Sequence, residues 1–172
     1  VKEIYSGPLG SFSDDNLFLW GNHFYFSARK DTGSGLNYDY ELWKSDGTDT
    51  GTVLVKDIKP GAAGSFPDRF YAALGSLFFI ADDGINGMEV WKTDGTNMGT
   101  SLVKDINPGS GASAVSQSGF FEFSGLLFFQ ADSTGTGIEL WSTDGTTSGT
   151  RLVKDISPGT GQSSPQLFVQ LY

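Results

Sequence analysis

The sequence contains no cysteine and a single histidine, and these shortages exclude several kinds of catalytic and metal site. Without cysteine, the chain can form neither disulfides nor thiolate metal sites. Because His23 is the sole histidine, Cys–His dyads and metal sites built on several histidines are excluded as well. A Ser–His–Asp triad would have to use His23, and nothing around it resembles a Gly-x-Ser-x-Gly turn. The sequence therefore predicts a protein that is not an enzyme.

Cationic side chains are scarce, since 11 Lys and Arg stand against 20 Asp and Glu, a net charge of −9. An acidic surface repels phosphate backbones and anionic lipid surfaces, so we expect neither a nucleic-acid partner nor a membrane partner. The longest apolar runs, such as Leu126–Phe129, are too short to cross a bilayer. We therefore expect no membrane insertion.

Helical periodicity is also missing, because Gly or Pro interrupts each candidate apolar stripe of 11 residues or more. The sequence is instead rich in turn and strand formers, with 24 glycines and 14% aromatic residues. This composition predicts an all-β protein.

An octapeptide that begins Glu-Leu/Val-Trp and ends Asp-Gly-Thr occurs three times, with its tryptophans 48 and 50 residues apart. Gly-Thr, then Val-Lys-Asp-Ile, then Pro-Gly follow each copy. The copies are Glu41–Thr48, Glu89–Thr96 and Glu139–Thr146, and the Val-Lys-Asp-Ile segments are Val55–Ile58, Val103–Ile106 and Val153–Ile156. Self-similarity at this period indicates stacked units of about 50 residues.

Each unit is predicted to contain four short antiparallel strands. In the second unit they are Arg69–Leu74, Ser76–Ala81, Met88–Thr93 and Thr100–Ile106, separated by Gly- and Asp-containing turns. The run Leu77–Ile80 is apolar without alternation, so both faces of the sheet should be covered. A β-propeller, in which four-stranded blades stack face to face, satisfies these conditions. A β-helix fits the hairpins poorly, and a sandwich gives no reason for the recurrence.

The predicted blades occupy residues 16–58, 69–106 and 119–156. Residues 1–15 would supply an outer strand, Val1–Ile4, and a crossing loop of a preceding blade, and residues 166–172 the inner strand of a following one. Three complete blades with partial blades at both ends do not close an ordinary ring of four to eight. We expect the open edges to pair with the rest of a longer chain or with another copy.

The repeat resembles that of the bacterial ELWxxDGT repeat family. Two copies match the octapeptide in full, and the second has Val90 in place of Leu. The flanking segments Leu77–Gly84 and Gly99–Ile106 also match, whereas the first unit departs through a longer loop, Arg29–Tyr40. The resemblance implies a large secreted or surface-attached bacterial protein with a propeller fold. It implies no established activity and therefore no catalytic residue.

Most recurring residues are predicted to serve the scaffold. Large indole rings suit packing between blades, and Asp followed by Gly suits a turn in which the carboxylate binds local backbone. The alternating Lys and Asp of each Val-Lys-Asp-Ile segment suit ladders between strands or blades, or a solvated outer edge. The tryptophans are Trp43, Trp91 and Trp141; the turn aspartates are Asp46, Asp94 and Asp144; the pairs are Lys56-Asp57, Lys104-Asp105 and Lys154-Asp155.

One hairpin offers oxygen ligands that a calcium ion could use. Asp82, Asp83 and Asn86 lie in it, and Asp132 holds the matching place in the third unit. The spacing is not that of an Asp-x-Asp-x-Asp-Gly loop, and Ser133 replaces the second aspartate. An ordinary hairpin turn is the alternative, and we expect no other cofactor.

Aromatic residues of the divergent first unit are the candidates for ligand contact. Tyr38 and Tyr40 lie near its long loop, where tyrosine suits stacking on sugars or peptides. Trp20 and Tyr25 lie within predicted strands, so we expect them to pack in the core.

The expected function is that of a non-enzymatic extracellular scaffold for adhesion or protein–protein contact on the bacterial surface, because repeat arrays offer extended surfaces. A lectin-like propeller with one glycan site per blade is an alternative. A third is an enzyme centred on the ring's channel, for which Glu122 and Gln170 are among the few polar residues on the inner strands. Such an enzyme could use a pair of carboxylates as general acid and base. The acidic residues recur in every unit, however, and a repeated acid more often serves the scaffold than a single active site.

Overall fold

The computed structural model describes residue 4 and residues 17–30, 38–109, 111–113 and 119–165. These residues form twelve strands and no helix, so none of them lies in a helix long and apolar enough to cross a membrane. The strands are β1 (Phe18–Trp20), β2 (His23–Arg29), β3 (Tyr40–Ser45), β4 (Val53–Lys56), β5 (Asp68–Ala73), β6 (Ser76–Asp82), β7 (Met88–Thr93), β8 (Ser101–Leu102), β9 (Phe120–Phe123), β10 (Leu126–Ser133), β11 (Gly137–Thr143) and β12 (Arg151–Lys154).

The strands form three separate four-stranded antiparallel sheets, each made of four consecutive strands. We call β1–β4 the first unit, β5–β8 the second and β9–β12 the third. The tryptophan of each octapeptide faces a phenylalanine of the preceding strand, in the register pairs Phe26 with Trp43, Phe79 with Trp91 and Phe129 with Trp141. The prediction of an all-β chain built from four-stranded antiparallel units is confirmed.

Two-residue turns join the first two strands of the second and third units. Leu74 and Gly75 have φ values of 52° and 73°, and Ser124 and Gly125 have 52° and 74°. Positive φ at both central residues defines a type I′ turn, whose twist matches that of the paired strands. Glycine accepts this conformation readily, which is why the sequence signal at these turns is strong.

The fourth strand of each unit ends earlier than predicted. The predicted strand Thr100–Ile106 is reduced to β8, although the Val103 amide still donates to the Val90 carbonyl at 2.9 Å. The strands β4 and β12 likewise end before the Asp-Ile of their segments. Beyond these strands, a buried glutamate of the neighbouring strand binds amides of the chain, among them those of Ile58 and Asn107. The predicted terminal strands lie outside the described residues, apart from Ile4.

Apolar faces of neighbouring units pack against each other in two seams. In the first seam, Leu42, Val55 and Ile58 of the first unit join a cluster of residues from the second. That cluster consists of Phe70, Leu77, Phe79, Ala81 and Trp91. In the second seam, Phe78, Val90, Val103 and Ile106 of the second unit contact a cluster from the third. That cluster occupies the same repeat positions as the cluster of the first seam and consists of Phe120, Leu127, Phe129, Ala131 and Trp141. The two seams therefore use the same positions of the repeat.

The tryptophans of the three octapeptides lie on the face of their sheet that is directed at the preceding unit. Trp91 and Trp141 belong to the first and second seams, and their exposed fractions are 6% and 8%. Trp43 packs with Ile4, Phe26 and Ala28 in a smaller cluster. Ile4 thus holds the place before the first unit that Ile58 holds before the second.

Truncation of equivalent phenylalanines measures what a seam contributes. Phe78→Ala leaves a cavity in the second seam, where the ring is fully buried, and should cost about 3–5 kcal/mol of unfolding free energy. Phe128→Ala, at the matching place on the third unit, removes a partly exposed ring and should cost less than half as much. Urea unfolding measures both values, and equal costs would contradict seam packing.

Candidate functional site

A buried glutamate of the first unit gathers four hydrogen bonds from the chain that leads to the second. Glu41 lies on β3 with none of its surface exposed. Its Oε2 accepts from the Ile58 amide at 2.7 Å and the Ser65 hydroxyl at 2.6 Å. Its Oε1 accepts from the amides of Ser65 at 3.1 Å and Lys59 at 3.3 Å. The carboxylate therefore fixes the path of the crossing segment.

The other two units repeat this arrangement. Glu89 accepts from the Ser113 hydroxyl at 2.6 Å and from the Asn107 amide at 3.3 Å. Glu139 accepts from the Ser163 hydroxyl and from the amides of Ile156 and Ser157 at 3.2 and 3.1 Å. Both glutamates are completely buried.

The serines that bind Glu41 and Glu89 also bind the next unit. The Ser65 carbonyl accepts from the Asp82 amide at 2.9 Å, and the Ser113 carbonyl accepts from the Asp132 amide at 2.7 Å. We call this chain of contacts, from the glutamate of one unit through the serine to the following unit, the glutamate–serine link. It sets the position of each unit on its neighbour through polar contacts inside an apolar stack.

The pKa of the third glutamate differs in direction from those of the first two. Burial raises the pKa of Glu41 and of Glu89 to about 7, although the hydrogen bonds from the serines and amides act in the opposite direction. Burial acts on Glu139 too, but the bonds from Ser163, Ser157 and Ile156 outweigh it and hold its pKa below the usual value. The first two glutamates lie in the stack between described units, whereas the third lies at its end.

The first unit adds two charged residues to its copy of the link. Lys30 forms a short hydrogen-bonded ion pair with Asp57, and its ammonium lies 3.4 Å from the carboxylate of the fully buried Asp39. Oxygen atoms of Asp39, Glu41 and Asp57 all lie within 4.8 Å of one another. At the positions of Lys30 and Asp39, the second unit has Asp83 and Gly87, and the third has Ser133 and Gly137.

Three carboxylates at this separation can hold a hard cation, and here the Lys30 ammonium fills that role. Burial raises the pKa of Asp39, and Lys30 only partly offsets it. Burial lowers the pKa of Lys30, but the bond to Asp57 and the charge of Asp39 outweigh it, so the net shift is upward. A divalent ion would have to displace a paired lysine and compete with the amides that bind Glu41. The cluster is best described as an internal ion-pair network.

An aromatic and cationic stack lies beside this network. The Arg29 guanidinium carbon is 5.2 Å from the ring centroid of Tyr38 and 5.0 Å from that of Tyr40, and the Arg29 Nε donates to the Tyr40 hydroxyl at 2.8 Å. Tyr40 is buried and packs on Phe66 at a centroid distance of 5.5 Å. Tyr38 is 59% exposed. Of the two tyrosines predicted to contact a ligand, Tyr38 is therefore available and Tyr40 belongs to the core.

The proposed calcium ligands are engaged by protein donors. Asp82 pairs with the Lys59 ammonium at 2.5 Å and accepts from the Gly84 amide at 2.7 Å. Asp83 accepts from two amides of its own turn and from the Asn86 side chain at 2.7 Å, and these bonds hold its pKa below the usual value although burial opposes them. Asp132 lies apart from them, at the end of the third unit's second strand. The contacts are those of a hairpin turn.

The Asp-Gly-Thr turns form the local hydrogen bonds that their sequence predicts. In the second unit, the Asp94 Oδ1 accepts from the Thr96 amide at 2.8 Å and from its hydroxyl at 2.7 Å, and Gly95 has a φ of 89°. Asp46 and Asp144 have the same contacts in their units. These bonds lower the pKa of all three aspartates. The turn is a compact structural element.

Lysines of one unit reach the turns of the next. Lys56 donates to the Asn97 carbonyl at 3.3 Å and Lys104 to the Thr150 carbonyl at 2.9 Å, which are contacts between units of the predicted kind. The lysine of the octapeptide does the same. Lys44 donates to the Gly95 carbonyl, and Lys92 to the Gly145 carbonyl, both at 2.7 Å. Each seam therefore has polar contacts along its outer edge.

The remaining candidates lie on the scaffold. His23 is half-buried at the start of β2, with its ring 6.5 Å from that of Tyr25. Tyr25 is buried and packs with Trp20 at 5.6 Å beside the first seam, as expected for core residues. Glu122 is exposed on β9, and Gln170 lies outside the described residues.

The glutamate–serine link is the feature whose role the sequence did not reveal. The glutamates are visible in every octapeptide, but the serines follow 24 residues later in loops of different composition. The Lys30 and Asp39 pair has a signal too, because both replace residues of other charge or size in the companion units.

No protein-family model, no curated protein and no solved structure matches the chain.

The buried glutamates predict an unusual pH dependence of stability. Since Glu41 and Glu89 titrate near pH 7 when folded and near 4.5 otherwise, the folded chain retains protons that the unfolded chain has released. The free energy of unfolding should therefore fall as the pH rises from 5 to 8, by on the order of 2 kcal/mol for each glutamate. Urea unfolding across this range measures the slope.

Matched substitutions assign that slope. Glu89→Gln should remove about half of the slope, since Glu41 supplies the rest, whereas Glu139→Gln should leave it unchanged because the pKa of Glu139 is already low. A stability that rises between pH 5 and 8 would refute this account.

The turns predict a strict need for glycine five residues after the aspartate. A Cβ at Gly99 would lie 2.0 Å from the Asp94 Oδ1, so Gly99→Ala must push the carboxylate away from Thr96. We expect a loss of about 1–2 kcal/mol, comparable to that of a helix cap. Met98→Ala, in the same turn but 97% exposed, should change stability by less than about 0.5 kcal/mol. Thermal unfolding compares the two, and equal effects would rule out the proposed clash.

Proposed function

We propose that the protein is a non-enzymatic extracellular scaffold, a stretch of β-propeller, that presents the surface of its first unit to a protein partner. The observation that carries this proposal is the exposed Tyr38 ring on the Arg29 guanidinium, in the unit that departs most from the repeat. The propeller arrangement is supported by three sheets that pack through the same faces and the same positions.

The scaffold role is supported by the way the recurring polar residues are used. The glutamates bind crossing segments, the aspartates of the octapeptide close turns, and the lysines bind the next unit. Polar groups that satisfy one another inside the repeat are not free to act on a substrate. What distinguishes one unit from another is then its exposed surface.

Tyr38 is suited to recognition because of what lies behind it. Arg29 contacts its ring and is itself bonded to the buried Tyr40, while the Tyr38 carbonyl accepts from the Gly64 amide at 3.0 Å. The Tyr38 ring is therefore held by the Arg29 guanidinium on one side and by the hydrogen bond of its own backbone, which reduces the conformational entropy lost on binding. The equivalent residues are Asn86 in the second unit and Thr136 in the third.

A lectin-like role is the second candidate, and the same ring favours it. An exposed aromatic face can stack on a sugar, and neighbouring donors can bind its hydroxyls. With Tyr38 in one unit, such a protein would carry one site of this kind here, not one per blade.

The test is binding of the labelled protein to intact bacterial cells that have been treated with protease or with periodate. We expect Tyr38→Ala to weaken binding at least about tenfold, as for a central aromatic contact, and protease treatment of the cells to abolish it. Ile85→Ala, an equally exposed change in the second unit's hairpin, is the matched control and should bind normally. Sensitivity to periodate alone would favour the glycan reading, and normal binding by Tyr38→Ala would exclude this surface.

A further inference from the structure

One apolar face of the third unit is exposed, whereas the equivalent faces of the first and second units are buried in seams. Val153 and Ile156 are 47% and 54% exposed, whereas the equivalent Val103 and Ile106 are 2% and 6% exposed in the second seam. Beside them, an apolar cavity is lined by Phe121, Phe123, Phe128 and Leu140. We call this surface the end face.

The opposite side of the first unit is exposed in a complementary way. Leu17 and Phe24 are 57% and 43% exposed. Their equivalents in the second unit, Phe70 and Leu77, are buried in the first seam, and those in the third unit, Phe120 and Leu127, in the second. We call this surface the front face. By position in the repeat, the end face and the front face are the two halves of one seam.

We propose that the end face of one copy of this chain binds the front face of a second copy, head to tail, through a seam like those within the chain. This inference depends on the stacked units and not on the recognition role of Tyr38, so the two can fail separately. A contact that joins different surfaces of identical chains is heterologous, and it gives a ring if the rotation closes.

Charge and hydrogen-bonding groups at the two faces support this pairing. In the internal seams, Lys56 and Lys104 donate to the following turn, and their equivalent Lys154 is exposed at the end face. The first unit has Asp49 at the position of Asn97, whose carbonyl Lys56 binds in the first seam, so a new seam of that geometry would set Lys154 beside a carboxylate. Opposite charges facing each other favour this partner over others.

The third unit also contains the first part of a glutamate–serine link, formed by Glu139 and Ser163. Ser163 binds Glu139 and the Ile138 carbonyl, as Ser113 binds Glu89 and the Met88 carbonyl. The Ser113 carbonyl accepts a hydrogen bond from the Asp132 amide of the next unit. By position in the repeat, the Ser163 carbonyl could accept one from a second copy.

Two features make this seam weaker than the internal ones. Ser142 stands where Lys44 and Lys92 reach the next turn, so one hydrogen bond is lost. Ile4 packs on the front face against Trp43, in the place that Ile156 of the other copy would take. Association must displace Ile4 and should therefore depend on concentration.

The experiment is sedimentation velocity of the full chain over a wide range of concentration. We expect the wild type to associate, and Val153→Asp and Phe24→Asp each to remain monomeric. An equimolar mixture of the two variants should form complexes of two chains, because each variant keeps the half that the other lacks. Met98→Asp carries the same charge at a residue outside both faces and should associate normally.

Both substituted residues are partly exposed, so we expect the variants to fold. Circular dichroism checks this. Ile4→Ala should strengthen association several-fold by loosening the competing contact. A wild type that stays monomeric at every concentration would overturn the proposal. So would association of either single variant at wild-type strength, a mixture that stays monomeric, or an unchanged Ile4→Ala.

Discussion

Exposing either apolar face of a four-stranded sheet to water is costly, and this constraint governs how the described units pack. Each unit has large aromatic or aliphatic side chains on both sides of its second strand, as in the run Leu77–Ile80. Burying the side chains Phe78 and Phe79 requires two neighbours, one for each face. Stacking copies of the same sheet supplies both, so the repeat and the fold have one cause.

Hydrophobic contact alone would not fix how one sheet lies on the next. The glutamate–serine link and the lysines supply that geometry, because each reaches from one unit into defined backbone groups of another. Burial makes the glutamates costly to ionise, so the same groups that position the units make stability depend on pH. Structural precision and acid titration are thus two consequences of one buried carboxylate.

Much of this architecture could be predicted from the sequence, since period, turn residues and continuous apolar strands are local signals. The strand Met88–Thr93 and the hairpin at Gly75 follow from such signals. The glutamate–serine link does not, because it joins residues that are distant in sequence, such as Glu89 and Ser113. The burial of Tyr40 beside exposed Tyr38 likewise depends on Arg29 from another strand.

The most direct test of face-to-face stacking uses the tryptophans. Trp20→Phe leaves Trp43, Trp91 and Trp141, which are all at least nine-tenths buried on one face of their sheets. The account predicts that iodide does not quench the fluorescence of the folded variant until urea unfolds it. Quenching of the folded protein to the same degree as the unfolded chain would show that these indoles face water, and would contradict the stacked arrangement.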